Sequence, residues 1–262
     1  MQSVASQTVH DFEYIVVDGA SIDDSVDVIS HYMNIPNLKW ISEPDFGIYN
    51  AMNKGIKMAS GDYTMILNSG DCLASDNVVE KLLPCISEKH AEFLYGNMIK
   101  VWPDGRKLRT YVEDDTISML TFYQGTLDHD GACIKKSLYE RLGYYDETFK
   151  ICSDWEWVMN AVVFSKVKPI HVDFDIILFD MSGISENDGK MKSVIYRERR
   201  QVLEKVLPAA ICCDYDRYAQ DIYRMRRIRR HGLAFKVVNL IERVLFKIEK
   251  RQSKRKQEQV WN

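Results

Sequence analysis

The sequence predicts an α/β fold: a mixed, mostly parallel open sheet flanked by helices, followed by a C-terminal helical extension. Short apolar runs alternate with segments of helical periodicity, which is typical of layered α/β architectures. Hydrophobic residues make up 46% of the 262 residues, as expected for a chain with a globular core. From about Asp214 the sequence becomes polar and basic. We therefore expect one domain over residues 1–207 and a basic helical extension over residues 208–262, with a disordered end from Arg251.

The elements of the first part follow from apolar spacing and from the residues that end each segment. The spacing of Ile48, Ala51, Met52, Gly55, Ile56 and Ala59 places one apolar stripe along a helix. Before position 96 the pattern predicts, in order, the end of a helix over Met1–Thr8, strand Tyr14–Val17, helix Asp24–Asn34, strand Leu38–Ile41, helix Ile48–Ala59, strand Tyr63–Leu67, helix Ser75–His90 and strand Glu92–Tyr95. Gly96 and Asn97 are expected to end the last of these strands.

The later elements begin with a β-hairpin over Met98–Val112, because Asp104-Gly105 is a strong turn signal. Two short helices carry the spacing of a capping box, in which a serine and a glutamate three residues later satisfy the first N–H groups. The predicted segments are helix Ser137–Leu142, helix Ser153–Phe164, one or two strands within Val167–Phe179 and helix Lys190–Leu207.

The turn Asn68–Asp71 holds the first candidate for chemistry. Asp71 follows a buried strand, and open α/β sheets bind ligands beyond the carboxyl ends of their strands. A carboxylate at that position is suited to a divalent cation, which in turn binds phosphates. Aspartate is also common in ordinary turns, so a purely structural role is the alternative from this segment alone.

Four stretches resemble one family, the family 2 inverting glycosyltransferases, which have the GT-A fold. These stretches are EYIVVDGASIDDSVDVI, SEPDFGIYNAMNKGIKMASGDYTMILNSGD, HDGACIKKSLYERLGYYDETFKICSDWEW and FDMSGISEND. They occur in the family's order, and the resemblance runs from Met1 to about Leu207. In the last stretch Ser182 stands where the family has a glycine, and in the second Gly70 stands where it usually has a first turn aspartate. The resemblance implies a metal-dependent transferase that uses a nucleotide-sugar donor.

The resemblance also implies that a first strand and its turn are missing at the N-terminus, so we expect an N-terminally truncated member. In the family that strand belongs to the sheet, and its turn contacts the nucleotide. Its loss is expected to leave a gap or an exposed strand edge, which costs hydrogen bonds and burial.

On the acceptor side, the resemblance implies Asp154 as the catalytic base. A carboxylate there would take the proton of the acceptor hydroxyl. Glu156 is a weaker candidate for the same role. Helix capping offers a structural alternative for Asp154, because Ser153 and Glu156 match a capping box. Three aromatic residues of this region are expected to lie in the core or to stack on sugar rings: Tyr123, Trp155 and Trp157.

On the donor side, the resemblance implies Asp71 as the ligand of Mg²⁺ or Mn²⁺, with the diphosphate completing the coordination. Asp18 is expected to contact the base or ribose of the donor. The remaining candidates for donor binding are Glu43, Asp45, Asn53 and His129. Asn53 is expected to brace the Glu43–Asp45 loop. Asp130 replaces the glutamine that often follows this histidine in the family.

The charge distribution separates the extension from the domain. Residues Arg217 to Lys256 include 14 Lys/Arg and 3 Asp/Glu, although the whole chain has a net charge of −3. Leu233–Ile248 reads as a basic amphipathic helix, which is suited to an anionic membrane surface. Packing on the domain is the alternative. A nucleic-acid partner is not expected, because aromatic residues are sparse among the basic ones.

The six cysteines have no zinc-site spacing, and small buried side chains in a reducing compartment are expected for them. Without a signal peptide or an apolar run of about 18 residues, the predicted location is cytoplasmic, or peripheral on the inner membrane face.

The leading hypothesis is inverting transfer of a sugar, from a donor that is UDP-linked, to an acceptor hydroxyl in glycan or polysaccharide biosynthesis. The acceptor would be a glycan or a lipid-linked molecule. The alternative is a non-catalytic relic that binds a nucleotide or a partner. A nucleotidyltransferase is disfavoured, because no glycine-rich phosphate loop with a basic residue occurs near the N-terminus.

Overall fold

The computed structural model describes residues 1–89, 91–110, 117–183 and 189–260, with the side chains of 189–190, 223 and 251–260 left out. The strands are β1 Tyr14–Asp18, β2 Leu38–Ser42, β3 Tyr63–Met65, β4 Cys72–Leu73, β5 Phe93–Val101, β6 Lys107–Arg109, β7 Cys133–Lys135 and β8 Pro169–Asp180. The α-helices are α1 Gln2–Ala5, α2 Ser25–His31, α3 Ile48–Met58, α4 Val78–Lys89, α5 Met119–Gln124, α6 Lys136–Leu142, α7 Ser153–Met159, α8 Gly189–Val206, α9 Ala209–Arg230 and α10 Gly232–Val260.

The strands form two sheets among the described residues. One is the parallel pair β1–β2, and the other is six-stranded, in the order β3-β7-β5-β8-β4 with β6 added to β5. The α/β fold class, with a mixed sheet flanked by helices, is confirmed. The pairing is more antiparallel than predicted, because only β1–β2 and β5–β8 run parallel. Alternation of strands and helices favoured parallel crossovers, but it does not show which strands become neighbours.

Helix α3 buries only part of the predicted stripe. Its most buried side chains are Tyr49, Asn53 and Ile56, whereas Ile48 is 38% exposed. Gly55 lies against the side chain of Val17 in β1, where an added Cβ would be 3.6 Å away. The helix is therefore covered by β1 on one side and by a second layer on the other, so a single apolar stripe does not describe it.

Strand β5 continues through the residues that were expected to end it. It runs from Phe93 to Val101 alongside β8, with a register irregularity around Gly96. A Cβ at Gly96 would lie 2.6 Å from Cδ1 of Ile176, so β8 packs where a side chain would stand. Glycine here marks close approach within a strand rather than its end. The hairpin β5–β6 is confirmed, with Gly105 at φ 83° in its turn.

Both predicted capping boxes are wrong. Helix α6 begins after Lys135 and α7 after Cys152, and neither has a side-chain cap. The start of α7 is instead fixed from a distance by Glu198 of α8. Its carboxylate accepts the backbone N–H groups of residues 150, 151 and 152 at 2.8, 3.0 and 3.1 Å. A π-helical turn, Asn160–Phe164, continues α7.

The chain divides into two compact units, residues 1–207 and 208–262. The first contains both sheets and α1 to α8. The second contains α9 and α10, and α10 extends to Val260, past the position where a disordered end was expected. Within the described part of the chain, every helix is too short or too polar to cross a membrane. The predicted loop that ends at Asp188 lies partly outside the described residues.

Candidate active site

Asp154 lies in the first turn of α7, beside a small cavity. Its Oδ1 atom accepts the Tyr49 hydroxyl at 2.9 Å and the backbone N–H of Trp155 at 2.7 Å. Its Oδ2 atom faces Nε2 of His129 at 3.5 Å, which is an ion-pair distance rather than a hydrogen bond. The side chain is 26% exposed and lines the cavity.

His129 and Asp154 each stabilise the charged form of the other side chain. Burial opposes the charged ring, but the carboxylates of Asp154 and Asp130 outweigh it and raise the pKa of His129 to about 9. Burial would likewise raise the pKa of Asp154, but the His129 ring and two hydrogen bonds hold it below its usual value. His129 Nδ1 lies 2.8 Å from the carbonyl oxygen of Leu127, which fixes the ring orientation. The pair is therefore an imidazolium and a carboxylate at neutral pH.

The cavity next to this pair is small and opens to solvent. Its wall includes Asn68, the first residue of the turn that ends at Asp71. The lining residues are Met52, Ile66, Asn68, His129, Asp130, Ala132, Ile134, Tyr139, Tyr145 and Asp154. The cavity thus connects the start of α7 with the turn after β3.

Asp71 is buried and only half satisfied. Its Oδ1 atom accepts the backbone N–H of Asp180 at 2.8 Å, whereas Oδ2 is buried without a hydrogen-bond partner. Burial raises the pKa of Asp71 to about 6, and the carboxylates of Asp130 and Asp180 add to the shift. Asp130 interacts electrostatically with Asp154 as well. It therefore links the two predicted acidic residues, 71 and 154, within one negatively charged cluster.

Asp71 fits the divalent cation that the resemblance implies. An ionised carboxylate oxygen that is buried without a partner is costly, and a hard cation is the ligand that would compensate it. Within the described residues, no three Asp, Glu, His or Cys side chains form a complete metal cage. Any cation at Asp71 would consequently depend on ligands from the substrate as well as from the protein.

Asp18, Glu43 and Asp45 form a second cluster at the end of β1. The Asp18 carboxylate accepts the hydroxyls of Ser21 and Ser42 at 2.5 and 2.6 Å, and these bonds lower its pKa. The backbone N–H of Glu43 donates to the Asp18 carbonyl at 3.0 Å. Asp45 lies against Gly19, where an added Cβ would meet its carboxylate. The structure brings these three predicted donor-side residues together, and α3 begins directly after them.

The prediction that Asn53 braces the Glu43–Asp45 loop is wrong. Its amide bonds to both backbone groups of Tyr145, at 2.9 and 3.0 Å, and to Glu147 at 2.8 Å. Lys54 is the residue that ties the loop, through Glu43 at 2.8 Å and the Pro44 carbonyl at 3.1 Å. Both N–H groups of the Asn53 amide therefore bond to the segment that contains Tyr145 and Glu147.

The two tryptophans of α7 belong to the core. Trp155 and Trp157 are each 2% exposed, and their ring N–H groups donate to the carbonyls of Gly125 and Gly143. Tyr49, which contacts the predicted base, was not among the predicted site residues. Its only signal was a tyrosine beside the apolar stripe of α3, and such a residue usually belongs to the core.

Comparisons with known proteins identify the class. Residues 1–127 match glycosyl transferase family 2. An uncharacterised glycosyltransferase of Mycobacterium tuberculosis is 30% identical over 199 residues, which is 72% of this chain and 71% of that protein. The chain belongs to glycosyl transferase family 2, and it is a glycosyltransferase.

Solved structures with lower identity share the fold. S. aureus TarS 1–349 in complex with UDP has a TM-score of 0.57 at 22% identity, over 80% of this chain and 62% of that one. The mannosyltransferase PcManGT from Pyrobaculum calidifontis, in complex with GDP-Man and Mn²⁺, has a TM-score of 0.53 at 14% identity, over 76% of this chain and 55% of that one. The chain therefore spans less than two thirds of these structures.

Proposed function

We propose that the protein transfers a sugar, with inversion, from a nucleoside diphosphate sugar to an acceptor hydroxyl during the synthesis of a surface glycan. The observation that carries the proposal is that Asp130 and Asp154 line one cavity, and that Asp130 interacts electrostatically with both Asp154 and Asp71. A UDP-linked donor is favoured by the likeness to a UDP-bound structure. Single displacement requires a base on the face of the sugar opposite the leaving group, as in inverting glycosidases.

Asp154 is the proposed base. The Tyr49 hydroxyl and the Trp155 N–H hold Oδ1, so the carboxylate is oriented with Oδ2 toward the cavity. His129 keeps the group ionised, which allows it to accept the hydroxyl proton as attack proceeds. A neighbouring imidazolium also compensates the negative charge around the site. His129 is therefore a positioning residue in this proposal.

Asp71 is the proposed cation ligand, and Asp18 is the proposed contact for the base or ribose. When bound, a divalent cation would neutralise the charge that develops on the diphosphate leaving group. Ser21 and Ser42 orient the Asp18 carboxylate before any ligand arrives. The Glu43–Asp45 loop lies beside it and would flank the nucleotide. A preoriented acceptor group at a strand end is suited to hydroxyl and N–H donors.

Helix α10 is proposed to contact an anionic membrane surface, where a lipid-linked acceptor would be found. Its apolar stripe is largely exposed: Val237, Leu240, Ile241, Val244, Leu245 and Ile248 are each at least 45% exposed. Lys236, Arg243 and Lys247 recur at helical spacing along one edge of the stripe. Apolar burial together with attraction to anionic lipids is how such helices bind.

The base is tested with Asp154→Asn, assayed for sugar transfer and for UDP binding by calorimetry. We expect transfer to fall by at least about 100-fold while UDP binding remains. The matched control is Glu156→Gln, which removes the other carboxylate of the same helical turn. Full turnover by Asp154→Asn would exclude the base. Absence of UDP binding by the wild type, with and without Mn²⁺, would favour the non-catalytic alternative.

Membrane contact is tested by co-sedimentation of the full chain with vesicles of phosphatidylglycerol and phosphatidylcholine. We expect binding to anionic vesicles only, and its loss in Lys236→Glu/Lys247→Glu. Glu242→Gln is the control on the opposite flank of the same helix. Equal binding to pure phosphatidylcholine, or none to anionic vesicles, would exclude the electrostatic contact.

A further inference from the structure

The turn that carries Asp71 has an unusual constraint at the preceding residue. Gly70 has φ 96°, a conformation that residues with a side chain rarely adopt. A Cβ built at Gly70 would lie 2.7 Å from Oδ2 of Asp180 and 3.2 Å from its Cβ. The Asp180 side chain therefore occupies the space into which a side chain at position 70 would project.

The backbone of Asp180 also forms a hydrogen bond with Asp71. Its N–H donates to Oδ1 of Asp71 at 2.8 Å, so the end of β8 fixes one oxygen of that carboxylate. The second oxygen, Oδ2, has no partner, although Asp71 is only 7% exposed. A buried unpaired oxygen beside a second carboxylate is an arrangement that hydrogen bonds within the protein do not explain.

The Asp180 carboxylate is itself oriented. Its Oδ1 accepts the backbone N–H of Ser182 at 2.8 Å, and its Oδ2 accepts the Ser182 hydroxyl at 2.6 Å. Two ionised carboxylate oxygens have about four acceptor positions, so these two bonds leave capacity for a ligand. Asp71 is buried, whereas Asp180 at the end of β8 is partly exposed.

We propose that Asp180 supplies the second protein carboxylate of the cation site, in the space left by Gly70. The inference rests on the proposed function, because it deepens the assignment of Asp71 as a ligand. Hard divalent cations such as Mg²⁺ and Mn²⁺ take carboxylate oxygens, and two carboxylates bind more tightly than one. A site that combines one aspartate of the β3–β4 turn with one from the end of β8 also couples these two elements when the cation binds.

The test is Mn²⁺ binding to the full chain, followed by the loss of the free-ion electron paramagnetic resonance signal, with and without UDP. We expect Asp71→Asn and Asp180→Asn each to weaken binding by about tenfold or more. The matched control is Asp173→Asn, which removes one charge from the same strand at a side chain that is 87% exposed. Thermal unfolding checks that each variant is folded.

The outcomes separate this inference from the proposed function. Wild-type affinity in Asp180→Asn, with a loss in Asp71→Asn, would overturn the role of Asp180 and leave the cation at Asp71. A loss of equal size in Asp173→Asn would also overturn it, because general charge would then explain the effect. Wild-type affinity in Asp71→Asn, or no Mn²⁺ binding by the wild type, would overturn the cation site itself.

Moving the carboxylate from position 180 to position 70 tests directly whether the two positions place a side chain in the same space. Asp180→Gly is expected to weaken Mn²⁺ binding, and Gly70→Asp/Asp180→Gly is expected to regain most of it. Any side chain at position 70 is strained at this φ, so the comparison needs a control that carries the same strain. Gly70→Ala/Asp180→Gly is the control without a carboxylate. Failure of the aspartate double variant to bind better than that control would overturn the shared position.

Discussion

Replacing His129 by glutamine tests whether the ion pair with Asp154 forms as the structure indicates. The pKa of His129 is raised from 6.5 to about 9, so the folded state binds its proton more tightly than the unfolded state does. The resulting stability is fully present below pH 6.5 and is lost as the pH rises through 9. One pKa unit corresponds to about 1.4 kcal/mol, so the proton contributes about 3 kcal/mol at pH 6.

The dependence on pH can be worked out from the same shift. Linkage leaves roughly half of this contribution at pH 8 and almost none at pH 9.5. The free energy of unfolding, measured by urea denaturation, should therefore differ between the wild type and His129→Gln by an amount that shrinks by about 2 to 3 kcal/mol between pH 6.5 and pH 9.5. Packing and hydrogen-bond losses add a constant offset.

The control for this prediction is His171→Gln. Burial lowers the pKa of His171, so this residue is neutral in both states above pH 7 and its substitution should give a flat difference there. A difference for His129→Gln that is equally flat from pH 6.5 to 9.5 would refute the ion pair. An NMR titration of the His129 ring is the direct measurement, with a midpoint expected near 9.

Three further substitutions test the packing around the site. Glu198→Ala should lower the free energy of unfolding by about 3 kcal/mol, because three backbone N–H groups lose a charged acceptor, and Glu198→Gln should cost less; urea denaturation measures both. Gly96→Ala should cost about 2 kcal/mol, because the new Cβ would meet Ile176, and an unchanged thermal midpoint would contradict the close approach. Tyr49→Phe should raise the pKa of Asp154, because the ionised carboxylate loses a hydrogen bond; the acid limb in the pH profile of kcat/KM should shift upward, and an unshifted limb would contradict the hydrogen bond.

The sequence predicted where the helices and strands lie along the chain better than it predicted which elements become neighbours in space. The order of strands and helices follows from apolar spacing, which is a local property that the chain carries in each segment. The end of β5 was misplaced, because glycine stops a strand in some contexts and admits a close neighbour in others. Only the packing of Ile176 against Gly96 distinguishes the two, and that contact is distant in sequence.

The candidate site shows the same division. Asp71 and Asp154 were identified because each begins or ends a predicted element, and the resemblance supplied their roles. Tyr49 lies 105 positions from the aspartate that it contacts, and Asp180 lies 109 positions from its partner. Neither pairing leaves a periodic or compositional trace. The prediction of a capping box at Ser153 was wrong for the same reason. The backbone N–H groups at the start of α7 are bound by a glutamate of α8, which is distant in sequence, and not by a side chain of α7 itself.

The charges of the site argue that it is organised for a ligand rather than for stability. Burial and two neighbouring carboxylates raise the pKa of Asp71, whereas His129 lowers that of Asp154. Environments that separate the pKa values of nearby carboxyl groups are typical of sites that assign them different roles. One group remains ionised and open to a hydroxyl, and the other has an oxygen that nothing in the described protein satisfies. A cation at Asp71 would remove the cost of that oxygen, whereas Asp154 is already held ionised as a base for an acceptor, which is the strongest physical reason to assign the two aspartates to opposite sides of one reaction.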